Sequence, residues 1–485
     1  LKKTKLLKMK TYLILTLFIF KFGYSQTYNY YFGNLHSHTG FSDGNKDSLT
    51  SGVSQPSGAY NYAKLSQNFD FLGVSEHNHY SSNNNPGFKK QSYAIGLSQA
   101  AAANASGTFV SVFGMEWGVS SNYNGHVVVY GFNQLIGWEP TVSGVSGNNY
   151  DIFNAKNDYA GLFSKVKNNP NAFCFLAHPY YTDFCQNMAP ATAILNSPYN
   201  AMYDSAIVGT PLRSGLAFST FDDYSNYPVG NYFDYFKRLL ALGYHVGIGY
   251  DHDNHYTNYG RSNGGRLAVV MQNTLNTTTL FNAIKQMNFY GTDDSNAKVN
   301  FSCGGNIMGA ILTISNNPTF NVTHNDGDGE MADSIKIWRG TINTTTTLAA
   351  PINFVTNNNT LAFTDNTLLS NTDYYYFAEI KQADGQWIVT SPIWINKTTP
   401  TSLKTEINNI ELTMFPNPAN TKLFLSFGEC NDYKIEIFNL IGQLVLTQTI
   451  FGNETTLNTS NLDKGVYLVQ VSNGLTQSKQ KLIIE

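Results

Sequence analysis

Short apolar runs recur through the first half of the chain, and most stop at a histidine or a carboxylate. Tyr30–Leu35 stops at His36, Phe69–Ser75 at Glu76-His77, Phe109–Met115 at Glu116 and Phe173–Ala177 at His178. His245–Gly249 runs toward Asp253 and His255. Between these runs lie helix-compatible stretches: Ala59–Gln67, Gln91–Ala103, Tyr159–Lys167, Tyr232–Leu242 and Thr278–Met287. Strand and helix in alternation predict an α/β domain with a mainly parallel sheet. In a strand, residues i and i+2 share a face, so His36 and His38 aim at one point, as do Asp253 and His255. In α/β barrels chemistry gathers at the C-terminal ends of the strands, where these run-ending residues would lie. His126 is the exception. It precedes Val127-Val128-Val129 and so begins a strand, which leaves a structural histidine as its alternative reading.

The residue types point to metal chemistry. His36, His38, Asp43, His77, Glu116, His126, His178, Asp253 and His255 are imidazoles and carboxylates without thiolates, a set that suits zinc, manganese or iron. They exceed one ion's needs, so two or three divalent ions are expected, with Glu116 bridging. Such clusters lower the pKa of a bound water toward about 7 and stabilise charge on attacking and leaving oxygens. The expected activity is hydrolysis of an ester bond by a metal-activated hydroxide, with a small phosphoester or ester as substrate. The closing stretch Tyr250-Asp251-His252-Asp253-Asn254-His255 offers two frames, Asp251 with Asp253 or Asp253 with His255. The second is preferred because His255 restores a His-rich site. Arg261 and Arg266 follow on a Gly-rich loop. Either would clamp a phosphate or simply sit on a solvated loop; Arg266 joins Glu116 and Asp253 in the expected catalytic group.

The arrangement resembles the PHP family, the polymerase-and-histidinol-phosphatase domain. His36 to Gly44 looks like its His-x-His-Thr-x-x-Ser-Asp-Gly opening, Glu76-His77-Asn78 like its second motif, and Asp253-Asn254-His255 like its closing Asp-x-His. Glu116, His126 and His178 match the middle ligands in order. The resemblance covers about residues 30–295 and implies a distorted (β/α)7 barrel with a trinuclear site. The Ser-Asp-Gly variant and the trailing β-region look most like the secreted branch related to carbaryl hydrolase. That branch keeps a carboxylic ester, carbamate or amide open as the substrate bond.

After about residue 298 the helical spacing disappears. Ile335–Trp338 and Tyr374–Ile380 read as strands, Asp384-Gly385 marks a hairpin, and Pro392 leads into Ile393-Trp394-Ile395. An Ig-like β-sandwich over 298–397 is expected, then a Thr-rich linker over 398–410. Trp338, Trp387 and Trp394 read as core before they read as a sugar platform. The last segment, 411–485, reads as a small β-sandwich. Phe415-Pro416-Asn417-Pro418, Ile437-Phe438-Asn439 with Gly442-Gln443, and Leu462 with Gly465-Val466-Tyr467 are similar to the type A C-terminal sorting domain of the type IX secretion system. That similarity implies that the type IX machinery is a partner and that the protein is secreted or surface-located.

The N-terminus agrees. Five lysines precede the apolar run Tyr12–Phe20, and Gly23-Tyr24-Ser25 offers a cut site, so residues 1–25 read as a signal peptide. The run is short for a membrane span of about 20 residues, and no transmembrane segment is expected after cleavage. Removing the six lysines up to Lys21 takes the formal charge from −3 to −9, and nothing in this balance suggests a nucleic-acid-binding surface. The hydrophobic fraction of 42% suffices for real cores, while the charged fraction of 13% falls below a usual level of about 25%. Export would permit a disulfide between Cys174 and Cys185; two buried thiols are the alternative. A non-catalytic surface binding protein is the remaining function class.

Overall fold

The computed structural model describes residues 27–65, 69–81, 87–119, 123–185, 190–342, 347–399, 410–474 and 476–485. The expected signal peptide and most of the expected linker lie outside them. Contacts divide the chain into one unit up to Pro400 and a second from Thr401. By content the protein is mostly β, with 41% strand against 15% helix.

The main elements of the N-terminal region are β1 (Asn29–Asn34), α1 (Pro56–Leu65), β2 (Phe71–His77), α2 (Lys90–Ala103), β3 (Val110–Trp117), β4 (His126–Tyr130), α3 (Tyr159–Asn168), β5 (Phe173–Ala177), β6 (Ile207–Pro211), α4 (Phe233–Leu242), β7 (Gly247–Gly249), β8 (Arg266–Met271), α5 (Thr277–Lys285) and β9 (Phe289–Thr292). All five expected helices form within a few residues of their sequence-based limits. Two are capped locally: the Asp158 carboxylate accepts from the Gly161 N–H, and Asn276 forms a capping box with Thr279.

The strands line up as β9-β8-β1-β2-β3-β4-β5-β6-β7. β2 and β3 are buried along their whole length, which is why they read as continuous apolar runs. The sheet is mixed. β1-β2-β3 and β5-β6-β7 are parallel, but β4 runs antiparallel to both β3 and β5. The chain beyond β1 then meets the chain beyond β7. Ser37 and Asn254 form a parallel bridge, with His38 N–H donating to the Asn254 carbonyl and Asp253 N–H to that of His36. This bridge joins the segment beyond β7, at one end of the strand series, to the segment beyond β1, third from the other end, on the side where the apolar runs stop.

The main strands that follow are β10 (Lys298–Cys303), β11 (Ile311–Ile314), β12 (Thr319–Asn325), β13 (Ala332–Thr341), β14 (Ala350–Thr356), β15 (Thr360–Thr364), β16 (Thr372–Gln382), β17 (Trp387–Thr390) and β18 (Ile393–Lys397). They form a two-layer sandwich. β10, β12 and β15 make one layer, and β13, β14, β16, β17, β18 and β11 the other. The second layer is continuous with the N-terminal sheet, because β17 pairs with β9 from Tyr290↔Thr390 to Thr292↔Ile388. The regions expected as separate domains at 297/298 therefore belong to one unit. β12 alternates exposed and buried, as a strand with one covered face should. β16 is buried almost throughout, since its second face packs on α4. Phe233 meets Trp338, Phe377 and Trp387 edge-on at 5.1–5.8 Å. Trp387 and Trp394 are buried, so these tryptophans are core.

The second unit contains β19 (Leu412–Phe415), β20 (Lys422–Asn439), β21 (Leu444–Asn458), β22 (Gly465–Ser472) and β23 (Gln477–Ile484). All pairings are antiparallel and join one five-stranded sheet. Leu423, Leu425, Ile435, Ile437, Val469 and Val471 are buried among residues of this unit alone.

Candidate metal centre

All nine sequence-predicted ligands converge. Glu116, near the end of β3, is the hub. Its Oε1 lies 2.8 Å from His126 Nδ1, 3.0 Å from His36 Nε2 and 3.1 Å from His178 Nε2. Its Oε2 lies 3.0 Å from His77 Nδ1 and 3.3 Å from His38 Nε2. Asp253 Oδ1 lies 3.0 Å from His38 Nε2 and 3.3 Å from His36 Nε2. Asp43 Oδ1 sits 3.3 Å from His255 Nε2 and 3.5 Å from His77 Nε2.

The fold explains each placement. His77 and Glu116 are register partners in β2 and β3. The Ser37–Asn254 bridge sets His36 and His38 beside Asp253 and His255, four sequence-predicted ligands from two paired segments, the second of them turned at Asp253. Because β4 is antiparallel, its first residue lies at the same end as the last residues of β3 and β5. His126 pairs with Ala177, just before His178. A strand-starting histidine thus joins strand-ending ones. Asp253 and His178 have φ of +51° and +31°, a costly region for residues with a side chain.

The residues fit divalent ions on this geometry. His36 Nε2, Asp43 Oδ1, His77 Nδ1 and Glu116 Oε2 are buried and make no hydrogen bond, although each lies 3.0–3.5 Å from another ligand atom. Buried donor atoms this close together and without hydrogen-bond partners leave room for an ion to satisfy them. Ligands at about 2.0–2.1 Å from a tetrahedral ion are themselves roughly 3.3 Å apart. Electrostatics agree. Burial pushes Glu116 and Asp253 up, but the surrounding imidazoles outweigh it and hold both well below the usual carboxylate range. Burial pulls His38 down, yet Asp253 and Glu116 raise it to about 10. The carboxylates demand positive charge at this spot, which a metal ion supplies.

A supporting layer escaped the sequence reading. Asp251 Oδ2 lies 3.2 Å from His36 Nδ1, the outer carboxylate that orients a ligating imidazole. Both closing frames are therefore used, Asp253 and His255 in the cluster and Asp251 behind it. Asn34 Oδ1 accepts from the N–H groups of His36 and His252, both at 3.1 Å, and ties the two ligand segments together. Glu76 accepts from Thr39 N–H and from the hydroxyls of Thr39 and Ser42. These contacts account for the Thr and Ser of the opening motif. A Cβ on Gly44 would lie 2.3 Å from the carbonyl carbon of His38, so this turn requires glycine. A carboxylate inside an apolar strand was the available signal for Glu76, since a buried charge must have partners.

One expectation is corrected, the catalytic placing of Arg266, and one open alternative is decided, since Cys174 and Cys185 are two buried thiols. Arg266 is fully buried, and its guanidinium donates to the carbonyls of Asn263, Gly265 and Gly260 and to the Tyr224 hydroxyl. It builds the 260–265 loop instead of presenting a phosphate clamp. Arg261 is likewise held, by the Asp222 carbonyl and the Tyr224 ring. Cys174 and Cys185 are free thiols, directed at the carbonyls of Ala206 and Tyr123, so no disulfide braces the His178 segment. At the mouth, the exposed Phe218 ring lies 4.5 Å from that of His255, and Lys46 Nζ is 3.8 Å from Asp43.

Comparison with known proteins bears on the second unit. Residues 413–485 match the family described as secretion system C-terminal sorting domain. No match was found among curated proteins. Solved structures with local similarity include PorZ, titled an essential bacterial surface component of the type-IX secretion system of Porphyromonas gingivalis. The identity is 17% over 22% of this chain and 15% of that one, with a TM-score of 0.15. The FN1–FN3 domains of chicken CNTN1 give 12% over 36% and 62%, TM-score 0.17. The fibronectin(III)-like modules of Clostridium thermocellum CbhA give 12% over 38% and 92%, TM-score 0.16. Scores this low leave the fold to the coordinates. No helix among the described residues is long and apolar enough to cross a membrane. Residues 413–485 are a C-terminal sorting domain, so the protein engages type IX secretion machinery and is exported to the cell surface or the extracellular space.

Proposed function

We propose that residues 26–297 form a metal-dependent hydrolase of the PHP family, in a distorted (β/α)7 barrel, acting on phosphoesters outside the inner membrane. What supports this is Glu116, whose two carboxylate oxygens meet five imidazole nitrogens at 2.8–3.3 Å. No single closed structural site needs that many ligands, since structural zinc takes four. Two or three ions of zinc, manganese or iron would be held by the nine residues and would supply Lewis acidity and a water activated near neutral pH. The protein's own contribution is placement. Glu116 spans neighbouring ligand groups, Asp251 fixes the His36 ring, and Glu76 holds the 39–42 turn that carries Asp43.

A carboxylic ester or carbamate substrate is the second reading. It is favoured by the commitment of Arg261 and Arg266 to carbonyls and by the aromatic wall at Phe218. Metal content and hydrolysis of p-nitrophenyl phosphate, bis-p-nitrophenyl phosphate and p-nitrophenyl acetate, beside an Asp253→Ala control, test both. Asp253-dependent phosphoester turnover carries the first. Acetate turnover alone carries the second. A protein that takes up no ions and stays inactive after reconstitution is a surface binding protein.

A further inference from the structure

An ammonium and an open aromatic ring stand together at the mouth of the centre, and the ligand segment around His255 places both. The Lys46 N–H donates to the His255 carbonyl at 3.0 Å, and the His255 N–H donates to the Ala217 carbonyl at 3.0 Å. The residues beside Lys46 are stitched to the same segment. Asn45 Nδ2 donates to the hydroxyls of Thr257 and Tyr259, and Asp47 Oδ1 accepts from the Thr257 N–H. On the other side, the Gly215 N–H donates to the Asp251 carbonyl at 3.3 Å. Lys46 and Phe218 thus reach the rim from two loops, each fastened to residues 251–259.

Neither side chain is consumed by the fold. Phe218 is 61% exposed, although its ring lies 4.5 Å from that of His255. One exposed ring needs no explanation, but Leu216 and Phe221 of the same loop are exposed as well, and a clustered apolar rim marks a contact surface. The Lys46 ammonium stands 5.4 Å from the Phe218 ring centre and 3.8 Å from Asp43 Oδ2, at the limit of an ion pair. With three N–H donors it can keep Asp43 and still take a further anionic oxygen. Arg261 and Arg266 are committed to backbone carbonyls, so the cation that faces the Asp43 side of the cluster is Lys46.

We propose that Lys46 and Phe218 select the substrate, and that the substrate is an aromatic phosphomonoester. The ammonium takes a phosphoryl oxygen, and the ring covers the aryl group. This inference rests on the hydrolase reading above and names the substrate class of that site. Lys binds a phosphate as a compact point charge, and an aromatic face favours a second ring stacked on it or set edge-on. A monoester carries one strongly anionic group and one organic group, which matches one cation and one ring. A diester brings a second organic group and less charge, and a neutral ester or carbamate leaves the ammonium without a partner in the substrate. Lys46 therefore separates the phosphoester reading from the carboxylic ester one.

The test is calorimetric titration of the zinc-reconstituted full chain with phenylphosphonate and methylphosphonate, which carry the same anion and are not hydrolysed. Wild type, Lys46→Met, Lys46→Arg and Phe218→Ala are compared, with metal content and with KM for p-nitrophenyl phosphate and p-nitrophenyl acetate measured alongside. Lys46→Met should weaken both phosphonates about tenfold and raise KM for the phosphate, with metal content and KM for the acetate unmoved. Lys46→Arg should restore most of the binding. Phe218→Ala should weaken phenylphosphonate about fivefold and leave methylphosphonate within about twofold of wild type. Lys46→Met that binds both phosphonates as wild type does overturns the role of Lys46. A fall in its metal content makes Lys46 a support of Asp43 and overturns that role too. Equal losses for the two phosphonates in Phe218→Ala overturn the choice of an aryl group. Wild type that holds zinc and turns over acetate but binds neither phosphonate overturns the pair and leaves the metal hydrolase standing, whereas wild type that takes up no zinc removes both.

Discussion

Two acidic groups on the same sheet are built differently. At the mouth of the N-terminal sheet, three carboxylates face six imidazoles, whose charges hold Glu116 and Asp253 well below the usual carboxylate range. At the junction with the sandwich, the carboxylates of Asp294, Asp326 and Glu330 face one another and the Gln382 carboxamide. The same residue type therefore serves opposite ends. Mixed nitrogen and oxygen donors suit zinc, manganese or iron, whereas oxygen donors alone suit harder cations. The difference shows that a carboxylate's partners, and not its presence, carry the functional information.

The sharpest way to break this contrast is to remove one carboxylate from each group. Asp253→Ala should lower hydrolysis on the order of 10³-fold or more, since metal-held charge stabilisation is worth several kcal/mol. Asp326→Asn should leave turnover unchanged. A loss of turnover in both would mean that the two groups form one functional system. Next in size is Arg266→Met. It strands three carbonyls and should lower stability by about 3 kcal/mol in denaturant unfolding, with kcat of the folded fraction intact. A fall in kcat at unchanged stability would return Arg266 to the catalytic group.

Asp251→Asn should weaken metal affinity or activity by about 10–100-fold while ions still bind. Metal titration against wild type reads this out, and an unchanged affinity would remove Asp251 from the support of His36. The smallest effect is expected for Phe218→Ala. It should raise KM for aromatic esters by roughly tenfold or less with little change in kcat. An equal change for non-aromatic substrates would mean that Phe218 positions His255 instead of contacting substrate.

Much of the centre was legible along the chain because a buried strand announces itself as an apolar run, and a polar residue ending such a run must have a purpose. His77, Glu116 and His178 were found in this way. His126 fitted poorly because periodicity carries no strand direction; only the antiparallel seating of β4 brings its first residue to the ligand end. Arg266 was misread because a Gly-rich loop looks solvated in sequence, whereas here the loop is buried and needs a donor for its carbonyls. The Cys174–Cys185 spacing suggested a bridge, but each thiol found a carbonyl in a different segment.

The sequence by itself determined which segments become strands and helices, which histidines and carboxylates would end the apolar runs, and that the tail is a sorting domain. These are local properties, set by side-chain periodicity and short motifs. Tertiary structure alone decided which strand runs backwards, that β9 and β17 fuse two expected domains into one sheet, and which carboxylates meet imidazoles and which meet only each other. Those outcomes depend on pairing between residues far apart in sequence, where hydrogen-bond closure and burial are settled by the whole fold.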